Sequence, residues 1–143
     1  MLTGSYENSI DAKNRLIIPV KFRDDLGPQF IVTKGLDSCL AIYPMKTWEA
    51  QQAELAKLPR SDAKVRAYLR FTNQDAEVCD IDRQGRTVIP KKLKDFARID
   101  REVITIGMND MIEIWAKDVY ESDPNGGQLT SDILDEISER YSV

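Results

Sequence analysis

The 143-residue chain contains no histidine. That excludes imidazole metal ligation and any Ser-His or Cys-His nucleophilic pair. Cysteine is scarce too: Cys39 and Cys79 stand far apart, in no metal or redox spacing. The expectation is two buried free thiols in a reducing compartment and no structural zinc site. No glycine pattern of the P-loop or dinucleotide-binding kind occurs. Apolar runs stop at four or five residues, far short of a bilayer span. The opening MLTGSYENSID has no basic segment leading into an apolar one, so it does not read as a secretory signal. With so few catalytic residue types in useful company, an enzyme is not expected, and a cytoplasmic location is.

What is present is 42% hydrophobic and 31% charged, the balance of a soluble globular protein of one domain or two small lobes. The formal net charge of −4 argues against a polyanion partner, but its distribution argues the other way. Lys13, Arg15, Lys21 and Arg23 form a run without an acid, and so do Arg83, Arg86, Lys91, Lys92 and Lys94. From Asp110 to Val143 there are nine acids and two bases. Two local basic patches and an acidic tail are more informative than the total.

The chain is also written twice. At an offset of 71, Ile10 to Phe22 lies over Ile81 to Leu93, with Ile10/Ile81, Asp11/Asp82, Arg15/Arg86, Ile18/Ile89, Pro19/Pro90 and Lys21/Lys92 identical. After a one-residue slip, IVTKGLDSCLAIYPMKTWE (31–49) lies over VITIGMNDMIEIWAKDVYE (103–121). Each copy predicts strands at Tyr6–Ile10 and Arg15–Ile18, or at Glu77–Ile81 and Arg86–Ile89. A proline then opens a short helix, Val20–Leu26 or Lys91–Ala97. Hairpins follow at Phe30–Lys34 with Cys39–Tyr43, and at Glu102–Ile106 with Met111–Trp115, turning through GLDS and GMND. Helical sequence runs over 45–58 and from a Ser61/Asp62 cap, then from Lys117 to a break at DPNGG (123–127). A final amphipathic helix carries Leu129, Ile133, Leu134 and Ile137 on one side. One such unit buries too little to stand alone, so the two copies are expected to complete one core. Tyr43, Trp48, Trp115 and Tyr120 are expected in that packing rather than stacked on bases.

Core-sharing does not explain why the charged turn, Asp-x-x-x-Arg, is repeated as well. Asp11 and Asp82 can accept backbone N–H bonds within their turns. Gly85 permits a positive φ, and Asn14 is the next most tolerant residue there. The arginine then starts a strand with its planar fork of donors held near the turn. One reading is an internal Asp–Arg ion pair that only locks the turn. The other is capture of a phosphate or a guanine edge by Arg15 and Arg86. Lys13, Arg83, Lys21, Arg23, Lys91 and Lys92 lie close in sequence and favour a polyanion.

DAKNRLIIPVKFRDDL and DRQGRTVIPKKLKDF resemble the paired motifs of the MraZ family, bacterial regulators whose halves are each similar to the AbrB-type swapped-hairpin unit. The likeness extends through GSYENSID, both hairpins and the intervening helices. It implies an α+β fold in which tandem-duplicated ββαββ units form an interleaved swapped-hairpin, barrel-like core flanked by helices. The halves would be 1–72 (unit 1–44, connecting helices 45–72) and 73–143 (unit 73–116, C-terminal helices 117–141). It implies a cytoplasmic, nucleoid-associated transcription factor without cofactor or small-molecule substrate, acting away from membranes. Its partners would be double-stranded DNA, as direct promoter repeats upstream of the division and cell-wall gene cluster, and further copies of itself in a closed ring. DNA contact would fall to Arg15, Arg86 and the neighbouring cations, with Asp11, Asp82, Asn14 and Gly85 shaping the turns. A toxin-neutralising antitoxin-like module is the alternative, one that expects a single motif and a disordered acidic tail.

Overall fold

A computed structural model describes residues 1–122 and 129–143. The break read at 123–127 lies outside the described residues. Each half opens with β1 (Ser5–Ser9), β2 (Arg15–Ile17) and α1 (Val20–Leu26), or with β5 (Glu77–Asp80), β6 (Arg86–Val88) and α4 (Lys91–Phe96). Each closes with a hairpin, β3 (Gln29–Lys34) with β4 (Leu40–Pro44), or β7 (Glu102–Gly107) with β8 (Ile112–Ala116). The fold is α+β with antiparallel strand pairs.

The pairing beyond the hairpins runs between the halves. The larger sheet has the order β1-β7-β8-β4-β3-β5. The first strand of each half lies against the third strand of the other: β1 on β7 and β5 on β3. The hairpins meet where β4 pairs with β8. A separate two-stranded ribbon joins β2 to β6, with Arg15 opposite Val88 and Ile17 opposite Arg86.

Equivalent positions of the copies fill one core. Ile18 and Ile89, Phe22 and Leu93, Leu40 and Ile112, and Ile42 and Ile114 are all buried. Burial of each such side chain stabilises by about 1.5–3 kcal/mol before chain entropy is counted. The four aromatics pair with one another in duplicate, Tyr43 with Trp48 at 5.5 Å between ring centroids and Trp115 with Tyr120 at 5.4 Å, but only Trp115 is buried and the other three are half-buried beside the core. Both cysteines are buried free thiols. Burial pushes the Cys79 thiol up to about 11 and raises that of Cys39 as well.

Beyond shifts of one to three residues at element ends, which leave Leu129 ahead of the final helix, two details differ from the sequence expectation. Pro19 and Pro90 sit one step earlier than the first helical turn, as extended N-caps. Their carbonyls accept the first bonds of α1 and α4, from Phe22 N–H at 2.9 Å and Leu93 N–H at 3.0 Å. Leu2, in no predicted element, is buried and exchanges both backbone bonds with Asn109, at 3.0 and 2.7 Å.

The connecting helices are α2 (Met45–Leu55) and α3 (Ala63–Asn73), the latter capped by the Asp62 carboxylate on Lys64 N–H. They hold little of the core: α2 buries no residue fully, and α3 only Thr72. At the root of α3, Lys34 makes a 2.8 Å ion pair with Asp75 and lies over the rings of Phe71 and Phe96 at 5.3 and 5.2 Å. Behind β8 come α5 (Lys117–Ser122) and the capped helix α6 (Ser131–Tyr141). No helix among the described residues is long and apolar enough to cross a membrane.

Candidate nucleic-acid interface

The ribbon β2–β6 carries one charged turn before each strand, so its antiparallel register places the two turns at opposite ends. Within each turn the aspartate organises the backbone. Asp11 Oδ1 accepts from Lys13 N–H and Arg15 N–H, both at 2.9 Å, and Oδ2 accepts from Arg15 Nε at 2.7 Å. Asp82 accepts from Gln84 N–H, Arg86 N–H and Arg86 Nε, each at 2.9 Å. The backbone closures match too: Asn14 N–H to Asp11 O and Gly85 N–H to Asp82 O, both 3.0 Å. The backbone bond from the arginine, more than any other factor, holds each carboxyl below the usual aspartate range. Both fourth positions have positive φ, 60° at Asn14 and 79° at Gly85. An asparagine therefore accommodates the conformation for which its twin uses glycine.

The internal Asp–Arg ion pair is thus present in both turns. It engages Nε, and no other hydrogen bond of either guanidinium occurs among the described residues. Arg15 and Arg86 are only partly exposed, with side-chain exposures of 31% and 26%. A fork anchored at Nε leaves its two terminal nitrogens as further donors with little rotamer freedom to lose.

Each turn is braced by the other half. Ile18 N–H donates to Gly85 O, and Ile89 N–H to Asn14 O, both at 2.8 Å. Equivalent cations of α1 and α4 also cross over. Lys94 Nζ donates to Asn14 Oδ1 at 3.1 Å. Arg23 donates from Nε to Ile18 O at 2.8 Å and lies against Gly85, where a Cβ would collide with the guanidinium. The sequence alone does not expose this exchange, because both contacts depend on antiparallel crossing of the copies.

The remaining cations are placed unequally. Lys13, Lys21 and Arg83 are exposed and have no ion-pair partner among the described residues. Lys91 pairs with Asp95 at 2.8 Å, and Lys92 lies 3.6 Å from Asp75. The α4 end is therefore partly compensated, although its run contains no acid up to Lys94. The strand reading also missed two residues. Leu16 and Thr87 point inward, whereas Ile17 and Val88 are 49% and 58% exposed. The outer face of the ribbon presents Arg15, Ile17, Arg86 and Val88, cations and aliphatics on one surface. Period-two alternation carries this signal, but three residues are too few to make it stand out.

The same duplication governs comparison with known proteins. The family described as "MraZ protein, putative antitoxin-like" matches residues 1–71 and again 74–122. The chain belongs to the MraZ family. A Transcriptional regulator MraZ from Thermoanaerobacter sp. (strain X514) is 45% identical over 139 residues, covering 97% of this chain and 95% of that protein. One from Clostridium tetani (strain Massachusetts / E88) is 42% identical, with 97% and 98% covered. One from Caldanaerobacter subterraneus subsp. tengcongensis is 39% identical over the whole length of both. Each of the two MraZ matches contains one Asp-locked turn and one strand of the ribbon.

Proposed function

We propose that this chain is a sequence-specific DNA-binding transcriptional regulator that acts on tandem promoter repeats as a ring-shaped homo-oligomer. In this reading its target is the division and cell-wall gene cluster, and it works in the cytoplasm at the nucleoid without enzymatic activity. The halves 1–72 and 73–143 act as two swapped-hairpin units sharing one barrel-like core. The observation that carries the reading is the pair of matching Asp-locked turns at the ends of one exposed ribbon. Each offers a braced arginine fork beside an exposed cation that has no acidic partner among the described residues, Lys13 at one end and Arg83 at the other. Two-stranded ribbons fit the major groove, where an arginine fork matches guanine and an aliphatic side chain matches the thymine methyl. Ile17 and Val88 supply the second kind of contact. Lys91 and Lys92 border the site and exchange their acids for phosphates.

One protomer offers few phosphate contacts, so its own affinity is weak and salt-sensitive. Copies held together on adjacent repeats gain through effective concentration. A gel shift on the DNA upstream of the gene, across a salt series, tests the reading. Wild type is expected to shift repeat-containing DNA, and the double variant Arg15→Ala/Arg86→Ala to lose specific binding with its native mass unchanged. Normal binding by that variant would leave only the turn-locking role for the two arginines.

A further inference from the structure

Helix α6 is amphipathic, buries none of its residues and packs on no other element to a substantial extent among the described residues. Ile133, Leu134, Ile137 and Tyr141 share one side, and each is more than a third exposed. Asp132, Asp135, Glu136 and Glu139 occupy the remaining turns, with Arg140 as the one base. An isolated helix of this length is marginal in water unless its apolar stripe is covered.

A surface of matching character lies elsewhere on the molecule. Between α2 and α3 runs a groove of about 510 Å³, lined by Leu55, Ala56 and Leu69 with Arg60, Arg66 and Arg70. No acid lines it, and none of the three arginines has a carboxylate partner among the described residues. Arg66 donates to the carbonyls of Arg60 and Ser61, which keeps the corner of the helical pair in place. Helices α2, α3 and α6 have eleven residues each, about 16 Å of helix, so the groove and the stripe agree in length. α6 contributes nothing to the lining of its own groove.

We infer that α6 of one copy of this chain seats in the α2–α3 groove of a second copy, its apolar stripe on Leu55 and Leu69 and its acids among the three arginines. Helix-in-groove contacts of this kind combine an apolar anchor with a polar rim. Donor and acceptor surfaces differ, so the contact is head-to-tail and repeats from copy to copy until it closes. The inference rests on the oligomer of the reading above and names the contact that builds it. It also places the acidic segment in a protein–protein joint rather than beside the DNA-facing ribbon.

Two variants test it by native mass, with far-UV circular dichroism as the control for folding. Leu134→Asp/Ile137→Asp spoils the helix stripe, and Leu69→Asp spoils the groove. Arg70→Glu, at an exposed position, replaces Leu69→Asp should that change disturb α3. Each variant alone is expected as a single chain at concentrations where wild type is a closed oligomer. Mixed in equal amounts, they retain one sound helix and one sound groove, and should give a heterodimer and nothing larger. An oligomer that survives both variants, or a mixture without heterodimer, overturns the inference and leaves the ring reading standing. A single-chain wild type removes both. If its α6 amides are then protected from hydrogen exchange, the helix has closed on its own groove.

Discussion

Asn14 and Gly85 occupy one backbone conformation, but their surroundings are complementary. The asparagine offers an acceptor to Lys94, while the glycine leaves room for Arg23. Gly85→Asn keeps an acceptable φ but drives a side chain into the guanidinium. It is expected to cost about 1–2 kcal/mol in chemical denaturation, and adding Arg23→Lys should recover much of that loss. A non-additive double-mutant cycle is the signature, and strictly additive losses would show that the pairs are independent. The aspartates predict a pH response of definite sign. Their folded-state pKa values are depressed, so their contribution is complete above the ordinary value of about 4 and fades as pH falls through the lower folded value. Melting temperature should therefore lose an acid-limb component below about pH 4. Asp11→Asn/Asp82→Asn should lack that component and differ most from wild type at neutral pH. The buried thiols add a simple check: at pH 8 neither Cys39 nor Cys79 should alkylate with iodoacetamide until the protein is unfolded.

Among the elements, the ribbon and the root of α3 carry separate burdens. In the proposed function the outward side chains of the ribbon serve recognition more than the core. Ile17→Ser removes roughly two methylenes of contact from an interface, worth about 1–2 kcal/mol or roughly tenfold in affinity for specific DNA. Stability should change little, because Ile17 is half exposed in the free chain. Fluorescence anisotropy with a labelled operator and a parallel melt separate the two effects. Lys34 shows the opposite pattern. It is mostly shielded, paired with Asp75 and set against the rings of both Phe71 and Phe96, so it ties β3 to both α3 and α4. Lys34→Ala leaves Asp75 without its closest partner and is expected to cost about 2 kcal/mol, read from the denaturation midpoint.

For the whole molecule, charge is sorted by place. DNA affinity should fall steeply with salt, and replacing Lys13 or Arg83, the exposed cations beside the two forks, should lower the logarithmic slope by about one per engaged turn. The duplicated phrase made the strands, the two short helices and the turn chemistry legible, because periodicity and residue type act locally. Glu77–Asp80 and Arg86–Val88 fall within a residue of their expected ends. What stayed hidden depends on distant parts of the chain meeting. The Arg23–Gly85 contact, the Leu2–Asn109 bridge and the cage around Lys34 each join residues that no local pattern connects. The Lys92–Asp75 ion pair belongs to the same class, whereas Lys91–Asp95 is a local i,i+4 helix pair whose acid lies just past the basic run.

The exchange of strands between halves also bears on how the chain comes off the ribosome. When residues 1–72 have emerged, β1 and β2 have no partner and the β3–β4 hairpin lacks both of its outer neighbours, since these are β7, β6, β5 and β8. The first half must wait with open edges and an uncovered apolar face until β8 has been made. Productive folding is therefore late and dominated by distant contacts, a slow regime in which exposed edges invite aggregation. Within one chain the second copy arrives at high local concentration and in a fixed order, so the wait is brief and the partner is always the right one.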